Sequence, residues 1–340
     1  MSPDRPAAVP VGILTGFLGA GKTTLLNRML AAPGFGRTAV IVNEFGEVGL
    51  DHLLVEAVTG DMLVLTTGCI CCAARGDLLA AVDGLMARRA TLGFDHIVVE
   101  TTGLADPGPV LNALLLGPGL AGNSSIDGVL TLVSAPDGAA ALAGHAEAGH
   151  QVALADRILL SKCDLAGPSP ELLSRLAALN PTAPVAEARA VAMTRDLFAA
   201  DARHTARPAP DHRHHHHAAD ARIRAVVLRA GVLEAGRLGA FIADLQGRHG
   251  AALLRLKGVA ALHHAPERPT VVQAVGHLLH PGRHLDGWPG GEPRTELVAI
   301  LDGVDAAAVT ALWDGYCGGP AIDRPDAAAL MPDGGPGLFG

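Results

Sequence analysis

The chain has 340 residues, of which 49% are hydrophobic and 18% charged; this composition predicts a globular protein with one large or two medium domains. Its 34 acidic and 26 basic residues give a formal charge of −8, which argues against nucleic acid as the main partner, because no basic face dominates. No apolar run approaches the roughly 18 residues of a membrane span. The start, MSPDRPAAVP, lacks the apolar stretch of a signal peptide, so we expect a cytoplasmic protein without a membrane partner.

Short apolar runs alternate with helical stretches through the first half of the chain. The sequence predicts a helix at 22–32 and strands at 11–15, 38–44, 61–66, 96–100, 128–133 and 157–162. Apolar strands that alternate with helices are typical of a parallel sheet covered on both faces. The pattern continues to about Phe198 and predicts an α/β domain over residues 1–200.

A segment without hydrophobic periodicity follows at 201–221, and its Pro, Asp and His content predicts a linker. Beyond the linker the sequence predicts helices at 234–250 and 305–317, and strands at 221–230, 252–262, 270–279 and 296–303. This order indicates a smaller α+β domain over 222–318 with a mostly antiparallel sheet, followed by a flexible tail at 319–340. We expect Trp313 and Cys317 to lie in the core beneath the last helix.

The sequence GFLGAGKT at 16–23 fits the phosphate-loop pattern and lies between a predicted strand and a predicted helix. The glycines let backbone N–H groups turn toward phosphate oxygens, and the helix N-terminus adds a partial positive charge. Lys22 is expected to reach the β- and γ-phosphates, and the Thr23 hydroxyl to bind Mg²⁺. The other expected nucleotide contacts in this loop are Gly16, Gly19, Ala20, Gly21 and Thr24.

Two further segments complete the predicted nucleotide site. HIVVETTG at 96–103 places Glu100 to hold the Mg²⁺ shell, through water, and Gly103 to offer a backbone N–H to the γ-phosphate. The candidate catalytic residues are therefore Lys22, Thr23 and Glu100, and no arginine finger is recognisable in the sequence.

RILLSKCD at 157–164 ends in Ser-Lys-x-Asp. An Asp at this place in GTP-binding proteins accepts hydrogen bonds from guanine N1 and N2, a role we expect for Asp164, with the stem of Lys162 along the base. Ser161 stands where Asn is usual.

Three of the five cysteines, Cys69, Cys71 and Cys72, lie within four positions. Thiolates are good ligands for Zn²⁺ and for Co²⁺, and three ligands leave a fourth position open, as suits a site that releases its metal. A disulfide is disfavoured in a reducing compartment. Buried packing of small thiols and a redox site remain alternatives.

These motifs, together with NEFGEVGLD at 43–51, GCICC at 68–72 and ETTGLADPGPV at 100–110, resemble the CobW family of phosphate-loop GTPases. The resemblance extends through GHQVALADRILLSKCDL at 149–165 to LLRLKGV at 253–259 and covers nearly the whole chain. It implies a phosphate-loop NTPase domain followed by a CobW-type C-terminal domain. It also implies a GTPase of low intrinsic rate that converts GTP to GDP and delivers zinc, or cobalt, from the Cys-x-Cys-Cys segment to a client metalloprotein.

Several assignments stay open at this point. Glu44 or Glu47 could contact Mg²⁺ or supply the fourth metal ligand, and the run His214, His215, His216 and His217 could bind metal loosely as an accessory site. His277, His280 and His284 are expected to be solvated or hydrogen-bonded, with metal contact as the alternative. A zinc buffer with a regulatory nucleotide site and a small-molecule kinase are the competing functions, and the sequence does not determine the oligomeric state.

Overall fold

The structure, a computed structural model, describes residues 8–43, 57–59, 62–67, 75–116, 124–199, 222–280, 282–288 and 291–318. The apolar runs of the first half form strands: β1 Val9–Thr15, β2 Thr38–Asn43, β3 Ala57–Thr59, β4 Met62–Thr67, β5 His96–Glu100, β6 Ser124–Ser134, β7 Arg157–Ser161 and β8 Val185–Glu187. Their order in the sheet is β3-β4-β2-β5-β1-β6-β7-β8, and every neighbouring pair is parallel except β3 with β4. The mostly parallel sheet predicted from the sequence is confirmed.

Helices cover this sheet: α1 Lys22–Leu30, α2 Arg75–Ala87, α3 Arg89–Leu92, α4 Pro107–Leu116, α5 Gly138–Gly144, α6 Ala146–Ala153 and α7 Pro170–Leu179. All five residues of β5 are buried, which explains the unbroken apolar run HIVVE. Helix α1 ends before the predicted limit of 32, because Pro33 has no N–H to continue the helix and instead begins a short 3₁₀ turn.

The second sheet contains β9 Ile223–Ala230, β10 Leu253–Ala260, β11 Thr270–Val275, β12 Leu278–Leu279, β13 Arg283–His284 and β14 Thr295–Asp302. Its order is β12-β11-β10-β14-β9, with β13 beside β11, and all its pairs are antiparallel. The α+β prediction for this half is thus confirmed. The single strand expected at 270–279 is wrong, because Gly276 adopts φ 55° and turns the chain into a β11–β12 hairpin.

Helices α8 Ala235–His249 and α9 Ala306–Cys317 pack on one face of the second sheet. Phe241 meets Trp313 edge to face at 4.9 Å between ring centroids, a favoured aromatic geometry. Cys317 is buried in the same cluster, and burial raises the pKa of its thiol to about 11. The core positions predicted for Trp313 and Cys317 are confirmed.

The opposite face of the second sheet lies against the first domain. Alternate residues of β14 point to opposite faces of the sheet. Leu297 packs toward the helices, whereas Val298 and Ile300 pack with Ala153 of α6 in a separate hydrophobic cluster. Because both faces are covered, β14 is apolar at successive positions instead of alternating. Among the described residues, no helix is long and apolar enough to cross a membrane.

A buried ionic cluster joins the two domains. Arg255 of β10 donates to the carbonyl of Leu154 and to Asp156, and Lys257 donates to Asp156 at 2.7 Å. The backbone N–H of Val129 donates to the other oxygen of Asp156 at 3.0 Å. Burial alone would disfavour the charge of this carboxylate, but the two cations lower the pKa of Asp156 to about 2.

Candidate functional site

The loop at 16–23 connects β1 to α1 at the carboxyl end of the parallel sheet. Gly16, Gly19 and Gly21 have φ values of 145°, 70° and 92°, conformations that side chains other than glycine rarely adopt. A Cβ atom at Gly16 would also lie 2.3 Å from the carbonyl oxygen of Leu132. The glycine spacing recognised in the sequence is therefore required by backbone conformation and by contact with β6.

The side chain of Lys22 folds back over this loop. Its Nζ donates to the carbonyl oxygens of Gly16 at 2.8 Å and Phe17 at 3.4 Å. Burial lowers the pKa of Lys22, and the nearby charge of Glu100 partly offsets that effect. The ammonium is thus held at the mouth of the loop, with its charge poorly solvated by water.

The carboxyl end of β5 brings Glu100 beside α1. The Thr23 hydroxyl donates to Glu100 Oε1 at 3.3 Å, and Glu100 is 5% exposed. A hydroxyl and a carboxylate are hard oxygen donors of the kind that Mg²⁺ prefers. These residues therefore fit a magnesium site in their chemistry and their proximity. Thr24, in the first turn of α1, is exposed.

Gly103 lies directly against the phosphate loop. A Cβ atom at this position would lie 2.7 Å from the backbone nitrogen of Leu18, so a larger residue would have to displace one of the two loops. The Thr101 hydroxyl donates to that of Thr15 at 2.7 Å, and both residues are fully buried. The segment after β5 and the loop after β1 are thus packed together, as the sequence prediction for Gly103 requires.

The segment after β7 reaches the phosphate loop from the other side. The Ser161 hydroxyl donates to the carbonyl oxygen of Ala20 at 2.7 Å. Lys162 has φ 56°, a left-handed value that is uncommon for a non-glycine residue, and its ammonium lies 3.3 Å from Asp137. Asp164 is exposed and pairs with Arg189 at 3.1 Å.

Sequence reasoning missed Ser134, Asp137, Gln151 and Arg189 near the site. The Ser134 hydroxyl donates to Asp137 at 2.7 Å. This hydrogen bond is the largest cause of a lowered pKa of Asp137, and the hydrogen bond from Lys162 is the next. Ser134 is the last residue of β6, and Asp137 follows it. The carboxyl end of β6 lies at the same edge as those of β1 and β7, so the sheet order would have pointed to both residues. Phe17, Leu132, Asp137 and Gln151 help to line a cavity beside the phosphate loop.

Other predicted residues lie outside the described ranges. They are Glu44, Glu47, Cys69, Cys71, Cys72 and His214 to His217. Within the described ranges, no group of three or more His, Cys, Asp or Glu side chains could hold a metal ion, and His277, His280 and His284 are not such a group. Cys163 is partly buried and packs against a hydrophobic cluster that includes Leu160 of β7 and Leu172 of α7. Burial raises the pKa of its thiol.

Comparison with protein families gives two matches. The CobW/HypB/UreG nucleotide-binding domain matches residues 10–187, and the C-terminal domain of the cobalamin synthesis protein CobW matches residues 223–316.

Individual relatives are similar over different lengths. The zinc chaperone YjiA of Escherichia coli is 42% identical over 179 residues, which are 52% of this chain and 56% of the relative. The chain therefore spans about half the length of that relative in the sequence alignment. The zinc chaperone CobW of Pseudomonas aeruginosa is 34% identical over 89% of this chain and 90% of its own. The crystal structure of the Zn(II)-bound YjiA GTPase from E. coli aligns with a TM-score of 0.70 at 28% identity, covering 92% of this chain and 99% of that one.

Proposed function

The chain belongs to the CobW/HypB/UreG family, whose relatives described above include a named GTPase and named zinc chaperones, and on this premise we propose that it is a GTP-hydrolysing metallochaperone. In this proposal Cys69, Cys71 and Cys72 bind Zn²⁺, or Co²⁺, as cargo, and the metal passes to a client metalloprotein. Hydrolysis is slow, because the sequence contains no recognisable arginine finger.

One observation carries the nucleotide part of the proposal. Glu100 is the last residue of β5, and Lys22 and Asp164 follow β1 and β7. The three strands are parallel, so these residues lie at one edge of the sheet. Open parallel sheets bind ligands at the carboxyl ends of their strands. This edge thus presents a phosphate-binding cation, a carboxylate for a magnesium shell and a second carboxylate for the base.

The residues act on the nucleotide through charge and hydrogen bonding. A phosphate oxygen would take the place of the Gly16 carbonyl as partner of the Lys22 ammonium, and its negative charge would add to the partial compensation that Glu100 gives this buried cation. Thr23 and Glu100 would hold Mg²⁺, and the ion would neutralise charge on the phosphates. In this proposal the Gly103 N–H donates to a terminal phosphate, a role supported by the close approach of Gly103 to Leu18 of the phosphate loop.

Base selectivity is assigned to Asp164. Its carboxylate can accept from both N1 and N2 of guanine, whereas adenine has no such donor pair. Arg189 pairs with this carboxylate, and a charge-assisted contact of this kind restrains the orientation of the side chain.

The coupling to metal is proposed from the register of the sheet. β2 ends at Asn43, directly before Glu44, and β4 ends at Thr67, two residues before Cys69. Asn43 pairs with Thr67, and Val42 pairs with Glu100. The segment that begins at Glu44 and the segment that contains the three cysteines therefore leave the sheet at the edge that carries Glu100. A γ-phosphate that orders one segment would change the affinity of the other, and metal would reciprocally alter nucleotide affinity.

The deciding experiment is Zn²⁺ titration against a competing chelator, with the protein nucleotide-free, bound to GDP, and bound to Mg²⁺ and a non-hydrolysable GTP analogue. We expect tighter Zn²⁺ binding in the triphosphate form. Replacing Cys69, Cys71 and Cys72 together by Ser should abolish the tight site while GTP binding survives, and Cys163→Ser is the matched control. Equal Zn²⁺ affinity in all three forms would favour the zinc buffer, and a tight site that survives the triple substitution would exclude the cysteines.

A further inference from the structure

We propose that His150 and Gln151, neighbours on α6, are positioning residues that hold the loop 101–106 against the phosphate loop and connect it to the C-terminal domain through Asp302. The proposal rests on the nucleotide site proposed above and adds a route by which that site communicates with the second domain.

Gln151 fixes the backbone of the loop. Its Nε2 donates to the carbonyl oxygens of Gly103 at 3.1 Å and of Ala105 at 3.0 Å, and the residue is 1% exposed. A buried amide that loses such partners pays the cost of an unsatisfied polar group. Gln151 is held in turn by the Thr131 hydroxyl, which donates to its backbone carbonyl at 2.8 Å. The hydrogen bonds from Gln151 therefore fix the carbonyl groups of Gly103 and Ala105 relative to α6.

The same loop is tightly packed against the phosphate-binding segment. A Cβ atom at Gly103 would clash with the backbone of Leu18, and the Thr101 hydroxyl is hydrogen-bonded to the Thr15 hydroxyl. A small shift of Gly103 would therefore move its N–H relative to the phosphate loop. Because Gln151 holds the carbonyl of Gly103 itself, it controls the placement of the neighbouring N–H without touching nucleotide.

His150 extends the connection across the domain boundary. Its Nδ1 lies 3.0 Å from Asp106, at the end of the loop, and its Nε2 lies 3.3 Å from Asp302, at the end of β14. Asp106 also accepts a bond from the N–H of Gly108 at 2.8 Å, at the start of α4. A doubly protonated imidazole can donate to both carboxylates at once. The bridge thus joins the loop after β5 to the last residue of a strand in the other domain.

The two residues make the position of the loop depend on that of the C-terminal domain. A terminal phosphate that draws Gly103 toward the phosphate loop must either strain the bonds to Gln151 and His150 or move α6 and β14 with it. By reciprocity, contacts that shift the C-terminal domain would alter the preference of the site for triphosphate over diphosphate.

The first test replaces Gln151 by Met, which keeps the length of the side chain and removes both donors. The readout is the ratio of Kd values for GDP and for a non-hydrolysable GTP analogue. We expect the analogue to bind at least about tenfold more weakly while GDP binding changes less than about twofold, and kcat to fall more than KM rises. The matched control is Gln246→Met, which removes a bond from Gln246 Nε2 to the carbonyl of Gly276 within the C-terminal domain and should leave the ratio unchanged.

The second test replaces Asp302 by Asn, with Asp244→Asn as control, because Asp244 pairs with Arg248 within the C-terminal domain. Asp302→Asn should shift the same ratio at least about threefold from a position outside the nucleotide-binding domain, and the control should not. This variant decides the question if Gln151→Met fails to fold.

The outcomes of these tests separate the two proposals. A wild-type protein that binds neither nucleotide would overturn the proposed function. A wild-type protein that binds both, with ratios unchanged in Gln151→Met and Asp302→Asn, would overturn the positioning role alone.

Discussion

The hydroxyl of Ser161 donates a 2.7 Å hydrogen bond to the backbone carbonyl of Ala20. Ser161 is the last residue of β7 and Ala20 belongs to the phosphate loop, so this bond joins the two loops that we propose to hold the base and the phosphates. A serine at the position where Asn is usual therefore keeps a polar connection between them.

Ser161→Ala should weaken binding of GTP, GDP and ATP by similar factors. The loss of one hydrogen bond costs about 1 kcal/mol, or roughly fivefold in affinity. Equilibrium binding of fluorescent nucleotides measures the change. Ser169→Ala is the control, because Ser169 caps α7 and its loss should lower the free energy of unfolding by about 1 kcal/mol without changing affinity. A change in the ratio of GTP to ATP affinity would instead mean that Ser161 contacts the base.

Lys22→Ala should abolish GTP hydrolysis, because it removes the cation that the phosphate loop places at its mouth. Wild-type turnover should itself lie far below the roughly 1–100 s⁻¹ of kinases. Phosphate release under single-turnover conditions measures both. Arg28→Ala, on the same helix but bonded to the carbonyl of Ala188, should retain hydrolysis. Rapid turnover by the isolated wild-type protein would contradict the expectation.

Asp164→Asn should lower GTP affinity at least about tenfold and leave ATP affinity unchanged, because only guanine offers the paired donors. Arg189→Gln should have a smaller effect, about fivefold or less, since exposed ion pairs contribute roughly 0.2–1 kcal/mol. Competition of ATP and GTP for a fluorescent analogue measures both variants. Equal wild-type affinity for the two nucleotides would exclude guanine selectivity.

Asp156→Asn should lower the free energy of unfolding by about 3–5 kcal/mol, because Arg255 and Lys257 would remain buried without a counter-charge. Both tryptophans, Trp288 and Trp313, follow the linker, so their fluorescence in urea reports the unfolding of the C-terminal domain. Asp244→Asn, at an exposed pair, is the control and should cost less than about 1 kcal/mol.

The pH dependence of the same cluster has a definite sign. The pKa of Asp156 is depressed in the folded protein, so its contribution is complete above the unfolded pKa of about 3.9 and is lost as pH falls toward about 2. Acid should therefore destabilise the wild type more than Asp156→Asn. Equal acid sensitivity of the two proteins would contradict this.

His150 should stabilise the protein more at acidic pH than at alkaline pH. The hydrogen bond to Asp106 raises the pKa of His150 despite partial burial, and Asp302, itself paired with Arg222, adds to the effect. A raised folded pKa means that the contribution is complete below the unfolded pKa of about 6.5 and is lost as pH rises through the folded value. The difference in unfolding free energy between wild type and His150→Gln should thus shrink from pH 5.5 to pH 9. A constant difference would show that the contribution of His150 does not depend on the protonation of its imidazole.

The sequence by itself determined the nucleotide-binding elements and most of the fold. The spacing of Gly16, Gly19 and Gly21 was recognisable because each glycine meets a local requirement: the backbone needs a positive φ at that residue. The strands were recognisable because parallel strands covered on both faces need unbroken apolar runs. The predicted metal ligands Cys69, Cys71 and Cys72 lie outside the described residues and stay a prediction.

Only the tertiary structure decided how these elements are connected. Gln151 lies 48 residues from Gly103, and Asp302 lies 152 residues from His150, distances over which no sequence period relates two positions. The hairpin at Gly276 could not be predicted for a similar reason. Residues 270–279 have the apolar content of a single strand, and the turn becomes evident only from the pairing of β12 with β11. Local conformation follows from neighbouring residues, whereas hydrogen bonds between distant segments exist only after the sheet and its helices have placed both partners.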